Sequence, residues 1–371
     1  MALINYLARI QFEFGAIATL KEEASRLGLQ RPMIVTDRGV ESAGVFSRAV
    51  SALGEIEFEA YLDTPPNPTE ASVYECLAFY KKRGCDGLIA LGGGSPIDLA
   101  KGVALLATHG GEIGDYGILT GGSERIGHIA PLIAIPTTAG TGAEVGRAAV
   151  ITLESGRKIA AVNLNLVPAV VICDPELTLT MPAKITAATG MDALTHGIEA
   201  FLSPLYNPPA EAIALDCIGR IAAAIERATS DGSDREARKE MMMGALEGGM
   251  ILQKGLGAAH AMATPLGEYH LHHGTLNAVV LPAVLRFNAH AAPEKFSAIR
   301  KAMKLNDGVD LGDWVQRLNE RLGMPAGLGA MGVPESDIPE IALKASKDHL
   351  SKTNPRPVSA GDYENLLRAA F

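Results

Sequence analysis

Asp192 and His196 stand four residues apart in the stretch Gly190-Met191-Asp192-Ala193-Leu194-Thr195-His196. On a helix, both side chains would leave one face and could reach a single point in space. Downstream, AHAMATPLGEYHLHHG holds His260, His270, His272 and His273, four of the nine histidines in the chain. One carboxylate with several neutral imidazoles suits Fe2+, Zn2+ or a similar divalent ion. An ion with an open position would acidify an alcohol oxygen or polarise a carbonyl. The Asp192/His196 pair alone fits an ordinary core as well as a metal site. The histidine cluster tips the reading towards metal, and the pattern does not choose among its members. His109, His128, His290 and His349 lie apart and read as satisfied core or surface residues.

A second set of residues suits a phosphate. Gly92-Gly93-Gly94-Ser95-Pro96-Ile97-Asp98 ends a strand-like run and opens a helix-like one. Glycines let the backbone turn sharply and come close to a ligand. Ser95 reads as the helix N-cap, Pro96 as the first helical residue and Asp98 as the partner in a capping box. Free N–H groups and the helix dipole would then favour a pyrophosphate, although a plain structural turn is an equal alternative for this loop alone. It is not the GxGxxG pattern. The loop Pro136-Thr137-Thr138-Ala139-Gly140-Thr141-Gly142 also follows a strand, so Thr137, Thr138 and Thr141 are candidates to line the same ligand. Asp37 ends the run PMIVTD, where a carboxylate can accept from ribose hydroxyls and repel a 2′-phosphate. The neighbouring Arg38 offsets part of that repulsion, and a solvated turn residue is the alternative.

The elements that must position these groups change character midway. Up to about Asp174, RPMIVTD, CDGLIALGGG, IAPLIAIPTT and PAVVICDP alternate with helix-like TEASVYECLAFYKKRG and SPIDLAKGVALLAT. That alternation predicts βαβ units and a mostly parallel sheet, and the nearly continuous apolar strands predict a sheet buried on both faces. LTGGSERIGH, around residues 119–128, reads as a loop within this part. After about Thr178 the strand signals stop. AEAIALDCIGRIAAAIERAT and REARKEMMMGALEGGMILQKG carry apolar residues at helical spacing. The expected organisation is an α/β dinucleotide-binding domain over residues 1–178 and an all-helical domain over residues 179–371.

Bulk properties remove several function classes. A chain of 371 residues is long enough for two cores, and 47% hydrophobic with 20% charged residues is globular composition. A net charge of −9 disfavours nucleic acid and anionic membranes as partners. No apolar run is long enough to span a bilayer. The start, MALINYLARIQFEFG, has no basic segment followed by an apolar block, so no signal peptide is expected. Cys76, Cys85, Cys173 and Cys217 are scattered, which predicts reduced thiols in a cytoplasmic protein.

With these motifs in order along almost the whole chain, the sequence resembles the iron-containing (group III) alcohol dehydrogenase family. GGGSPIDLAK resembles that family's NAD-pyrophosphate loop and IAIPTTAGTGAEV its second cofactor loop. DPELTLTMPAKITAATGMDALTHGIEAFLSP resembles the start of its helical domain, and KTNPRPVSAGDYENLLRAA its C-terminal signature. The resemblance implies a dehydroquinate synthase-like architecture with the active site in a cleft between two domains. It implies NAD and one divalent ion, Fe2+ first and Zn2+ second, held by Asp192, His196, His260 and His273. His273 is preferred to its neighbour because Gly274 follows it, as the family's last ligand precedes a glycine. Lys158 resembles a family lysine near the cofactor. The implied chemistry is hydride transfer between a small alcohol, aldehyde or ketone and NAD(H), in a homodimer.

Three departures from the family pattern stand out. The interval from His260 to His273 is one residue short, which keeps His272 as a rival ligand. Thr264 replaces a histidine often found near the nicotinamide, leaving His270, by sequence proximity, as the candidate proton relay. Ala148 stands where the family often has an aromatic residue, which predicts a roomier pocket. Two other classes remain as alternatives. A sugar-phosphate cyclase-type lyase of related architecture would need clustered Arg and Lys, which the helical half does not place around its histidines. A non-catalytic NAD- or metal-binding relative would rest on Thr264 and the short ligand interval.

Overall fold

A computed structural model describes residues 8–371; the first seven residues of the N-terminal stretch read above for a signal peptide lie outside the described residues. Apolar β-branched runs bounded by Gly, Pro and Asp form the middle of a sheet. The strands are β1 (Arg9–Phe12), β2 (Met33–Val35), β3 (Glu59–Tyr61), β4 (Leu88–Gly92), β5 (Leu132–Pro136), β6 (Ala148–Thr152), β7 (Lys158–Val162) and β8 (Val170–Cys173). Six of them make one sheet in the order β1-β8-β5-β4-β2-β3, parallel at every pairing. β6 and β7 pair apart as an antiparallel hairpin.

Every residue of β4 and β5 is buried, as a sheet covered on both faces requires. Alternate residues feed two cores. Met33, Val35, Leu88, Ala90 and Leu132 pack with the helices Glu70–Lys82 and Gly94–His109, while Ile34, Ile89, Leu91, Ile133 and Ile172 pack with Leu20, Ala24, Ala49 and Leu53. The chain passes from β2 outward to β3 and returns to place β4 on the other side of β2. The carboxyl ends of β2 and β4 therefore flank a reversal in strand order, the place where open parallel sheets bind ligands. Asp37 follows β2 and the glycine loop follows β4.

The chain divides into two compact units. Of the described residues, 8–138 together with Gly142–Thr180 form the sheet-bearing unit. Ala139–Thr141 and Met181–Phe371 form the other, whose described residues contain helices and no strand. Among the described residues no helix is long and apolar enough to cross a membrane.

Candidate metal centre and cofactor loops

In the sheet unit, the register Gly92↔Pro136 sets the glycine loop beside the threonine loop. Thr137 N–H donates to the Gly92 carbonyl at 3.0 Å. Gly92 has φ +152°, and a Cβ there would lie 2.5 Å from Pro96 Cγ, so only glycine fits. A Cβ on Gly93 would meet Thr138 Oγ1 and Cγ2 at 3.2 Å. The helix runs Gly94–His109 and its N-cap is Gly93, with no side-chain cap. This corrects the expectation of Ser95 as cap: the helix begins two residues earlier, and its first N–H groups are left uncovered by any side chain, as an anion site needs.

Asp98 is not a capping-box partner either. It is half-buried beside Lys101 with a backbone hydrogen bond from Val150, and burial lifts its carboxyl to about 7 against both. Lys101 is fully buried and donates to the carbonyls of Ala143 (2.7 Å), Gly146 (2.6 Å) and Ala148 (3.0 Å), so it holds the segment after the threonine loop. Burial pulls its ammonium down to about 8, with Asp98 and Glu144 opposing.

Lys158, at the start of β7, donates to Asn67 Oδ1 at 3.2 Å, and the Asn67 N–H donates to Ser95 Oγ at 3.2 Å. Asn67, which sequence reasoning missed, sits at φ +56° and links Lys158 to the glycine loop. Its only sequence signal was the turn-like Pro-Asn-Pro. Burial lowers the Lys158 pKa. Asp37 caps the short helix Arg38–Ser42, with Oδ1 accepting from Val40 N–H at 2.9 Å. Arg38 is ion-paired to Glu41 (3.1 Å) and Asp63 (3.0 Å). Thr138 is half-buried, and Thr141 is exposed.

The helical unit builds the other centre from three helices. Ala183–Leu202 carries Asp192 and His196, both buried on one face. Ala258–Leu266 supplies buried His260 from its first turn, and His273–Asn288 supplies half-buried His273 as its first residue. Asp192 Oδ1 lies 3.7 Å from His260 Nε2, 3.8 Å from His273 Nε2 and 4.0 Å from His196 Nε2. Ligands about 2.0–2.2 Å from one ion stand roughly 3.4 Å apart in a tetrahedron, so Asp192, His260 and His273, whose ligand atoms lie within 4.8 Å of one another, fit a divalent ion, with His196 at the edge of the group, 4.0 Å from Asp192. Asp192, His260 and His273 form the tightest group, and His196 stacks on His260 at 4.7 Å with its Nδ1 buried and unpartnered.

The surroundings orient these ligands. Glu199, one turn beyond His196, accepts from His260 Nδ1 (2.6 Å) and from Ala259 N–H (2.7 Å), which leaves His260 Nε2 turned towards Asp192. Asn354, from the C-terminal KTNPRP stretch, accepts from Ala258 N–H at 3.3 Å and so holds the start of the same helix. Burial alone would disfavour charge here. Hydrogen bonds with Asp192 and Glu199 outweigh it at His260 and raise that imidazole to about 9. Burial dominates at His196 and lowers it to about 4. For Asp192, burial raises the carboxyl, but its interactions with His196, His273 and the hydrogen-bonded His260 outweigh burial and hold it well below its usual range.

Gly274 explains the neighbours of the fourth candidate. A Cβ there would lie 2.1 Å from the Ala188 carbonyl oxygen, so a glycine is needed for the two helices to meet. His272 is exposed and is the N-cap of that helix, its Nδ1 3.5 Å from Thr275 Oγ1. His270 is also exposed, at φ +57° after the turn Gly267–Tyr269, and takes no part in the contacts around Asp192. Thr264 donates to the His260 carbonyl within its own helix.

If the glycine loop cradles a pyrophosphate, Gly93→Val should weaken NADH binding about tenfold or more, because a branched side chain would crowd Thr138 and cover the approach. Fluorescence titration with NADH checks this, and metal content should be unchanged. Wild-type affinity in the variant would place the cofactor elsewhere.

Comparison with known proteins follows the same two halves. The family model described as iron-containing alcohol dehydrogenase matches residues 8–175. The model described as Fe-containing alcohol dehydrogenase family, C-terminal, matches residues 186–371. The chain is 51% identical to a 4-hydroxybutyrate dehydrogenase of Cupriavidus necator, with all of both chains covered. Among solved structures, it is similar to a 1,3-propanediol oxidoreductase at 36% identity and TM-score 0.93, covering all of both chains. It is also similar to a sulfoacetaldehyde reductase from Bifidobacterium kashiwanohense in complex with NAD+, at 28% identity and TM-score 0.91, covering 100% of this chain and 99% of the other.

Proposed function

This chain belongs to the iron-containing alcohol dehydrogenase family and is a metal-dependent oxidoreductase that moves a hydride between an alcohol or aldehyde and NAD(H); within that activity, we propose that its substrate is a short alcohol bearing a carboxylate, or the matching aldehyde. The observation behind the catalytic reading is the convergence of the Asp192 carboxylate with the imidazoles of His196, His260 and His273. A divalent ion held by them supplies Lewis acidity to the substrate oxygen, and the nicotinamide supplies or accepts the hydride. The protein's own groups do the positioning. Glu199 sets the tautomer and direction of His260, and the uncovered N-terminus of the Gly94–His109 helix offers N–H groups to the cofactor's phosphates. Metal analysis of the purified protein alongside NADH turnover on a panel of alcohols and aldehydes tests the reading. Full activity after exhaustive chelation would overturn it, and no turnover on any of the panel would favour a non-catalytic relative.

Two features support the carboxylate. One is the 4-hydroxybutyrate dehydrogenase relative. The other is Arg147, which is exposed and whose guanidinium has no hydrogen bond or ion pair among the described residues. Its backbone is held: the carbonyls on either side accept from Lys101, and its own carbonyl accepts from Asn163 N–H at 2.9 Å. An uncompensated guanidinium carried on a held backbone is suited to a carboxylate. Arg147→Ala should raise KM for 4-hydroxybutyrate about tenfold or more and leave KM for 1-butanol and NAD within about twofold, the loss of one charge-assisted contact. A rise in the NAD KM alone would assign Arg147 to the cofactor instead.

The cofactor preference follows from Asp37. One of its oxygens caps a helix, its other oxygen is unclaimed by that bond, and the charge of Arg38 is taken up by Glu41 and Asp63. NAD(H) should be preferred over NADP(H), and Asp37→Gly should narrow the ratio of kcat/KM values by removing the negative charge. Equal turnover with NADPH in the unaltered protein would contradict this. The same reading has the protein acting as a homodimer in the cytoplasm, where four free thiols stay reduced; sedimentation and cell fractionation check those two points.

A further inference from the structure

Asn277 lies one turn after His273 on the helix His273–Asn288 and is completely buried. Its amide nitrogen lies 2.8 Å from Asp192 Oδ1, 3.0 Å from His260 Nε2 and 3.2 Å from His273 Nε2. One side-chain NH2 group is thus directed at three of the four candidate ligands, which arrive from three different helices. The other end of the same amide, Oδ1, is buried with no hydrogen-bond partner. A buried carbonyl left bare is destabilising, and a leucine of similar volume would fill the space without that cost. An asparagine retained for packing would pair both ends. This one commits its donor end to the ligand atoms and leaves its acceptor end bare, so the ligand cluster, and not the surrounding core, accounts for the amide.

We propose that Asn277 is a positioning residue for the metal centre, whose buried NH2 group donates to Asp192 Oδ1 and so fixes the orientation of the carboxylate towards which His260 and His273 converge. This rests on the reading of the cluster as a metal centre. Glu199 orients one imidazole from behind; Asn277 instead faces the donor atoms themselves. Losing a group that orients metal ligands typically lowers affinity about 10–100-fold.

The test uses Co2+ as the probe. Full-length protein is stripped with a chelator, and Co2+ binding is followed by equilibrium dialysis and by visible absorption, which reports ligand number and symmetry. Asn277→Leu should bind Co2+ about 10–100-fold more weakly than the unaltered protein and show a changed visible spectrum. Its thermal unfolding in the stripped state is measured alongside, so that a loss of metal affinity in a folded variant is told apart from a loss of fold. If the leucine variant does not fold, Asn277→Ala removes the same donor without apolar bulk and is read by the same two measurements. Unchanged affinity and spectrum in the folded variant overturn the proposal. Failure of the unaltered protein to bind Co2+ overturns the metal-centre reading beneath it, an outcome distinct from equal binding by both.

Discussion

Changing His273 to Ala is expected to lower turnover by about 1000-fold or more and to loosen or strip the ion, while His272→Ala stays within about threefold of the unaltered enzyme. The large figure follows from the several kcal/mol of charge stabilisation that a Lewis acid contributes, at 1.4 kcal/mol per factor of ten. The contrast between two adjacent histidines follows from the helix they begin. His273 is its first residue, with Nε2 turned to Asp192 at 3.8 Å. His272 is the N-cap, exposed, and directed to Thr275. Consecutive residues at a helix start leave the backbone in different directions, so one points into the centre while the other points out of it. Elemental analysis and steady-state NADH assays of both variants check this. The reverse ranking would move the fourth ligand to His272.

Gly274→Ala is expected to cost both stability and metal. The added Cβ would meet the Ala188 carbonyl oxygen at 2.1 Å and Asp192 Cβ at 3.2 Å. The first contact is with backbone, which cannot rotate away, so the helices Ala183–Leu202 and His273–Asn288 must part. Overpacking of this kind costs about 1–3 kcal/mol or more. For a unit of this size the melting temperature should fall by roughly 5–10 °C. Parting the helices also draws His273 from Asp192, so metal affinity should fall with stability. Gly308→Ala serves as the control, because nothing lies within 4 Å of its Cβ position. Calorimetry of the two variants, with and without chelator, measures both effects. Equal melting temperatures would mean that the helices are not held by this close approach.

The sheet unit shows how far local pattern carries. β2, β4, β5 and β8 were legible because a strand buried on both faces must be apolar throughout, and that is a property of each segment alone. β1 and β3 were not. Arg-Ile-Gln-Phe and Glu-Ala-Tyr are short and mixed in polarity, and each becomes a strand through its register with a neighbour, Arg9 with Val170 and Glu59 with Met33. The capping motif misled for a similar reason. Ser95, Pro96 and Asp98 satisfy the local rule, yet the helix starts at Gly94 because β4 delivers the chain there, and Asp98 turns to Lys101 and Val150.

The candidate metal centre divides the same way. The sequence by itself determined the two-part organisation, the family, the pairing of Asp192 with His196 and the small set of histidines from which the rest must come. Each of these depends on residues within a turn or two of one another, or on motifs in order along the chain. Tertiary structure decided which distant groups meet. Helix packing brings His260, His273 and Asn277 to Asp192, sets Glu199 behind His260, and requires Gly274 where two backbones touch. Helical period places Glu199 on the His196 face and Asn277 on the His273 face, but period alone does not say what lies opposite a face. That is fixed by close packing across helices far apart in the chain, where a single methyl group at Gly274 would be enough to move a ligand.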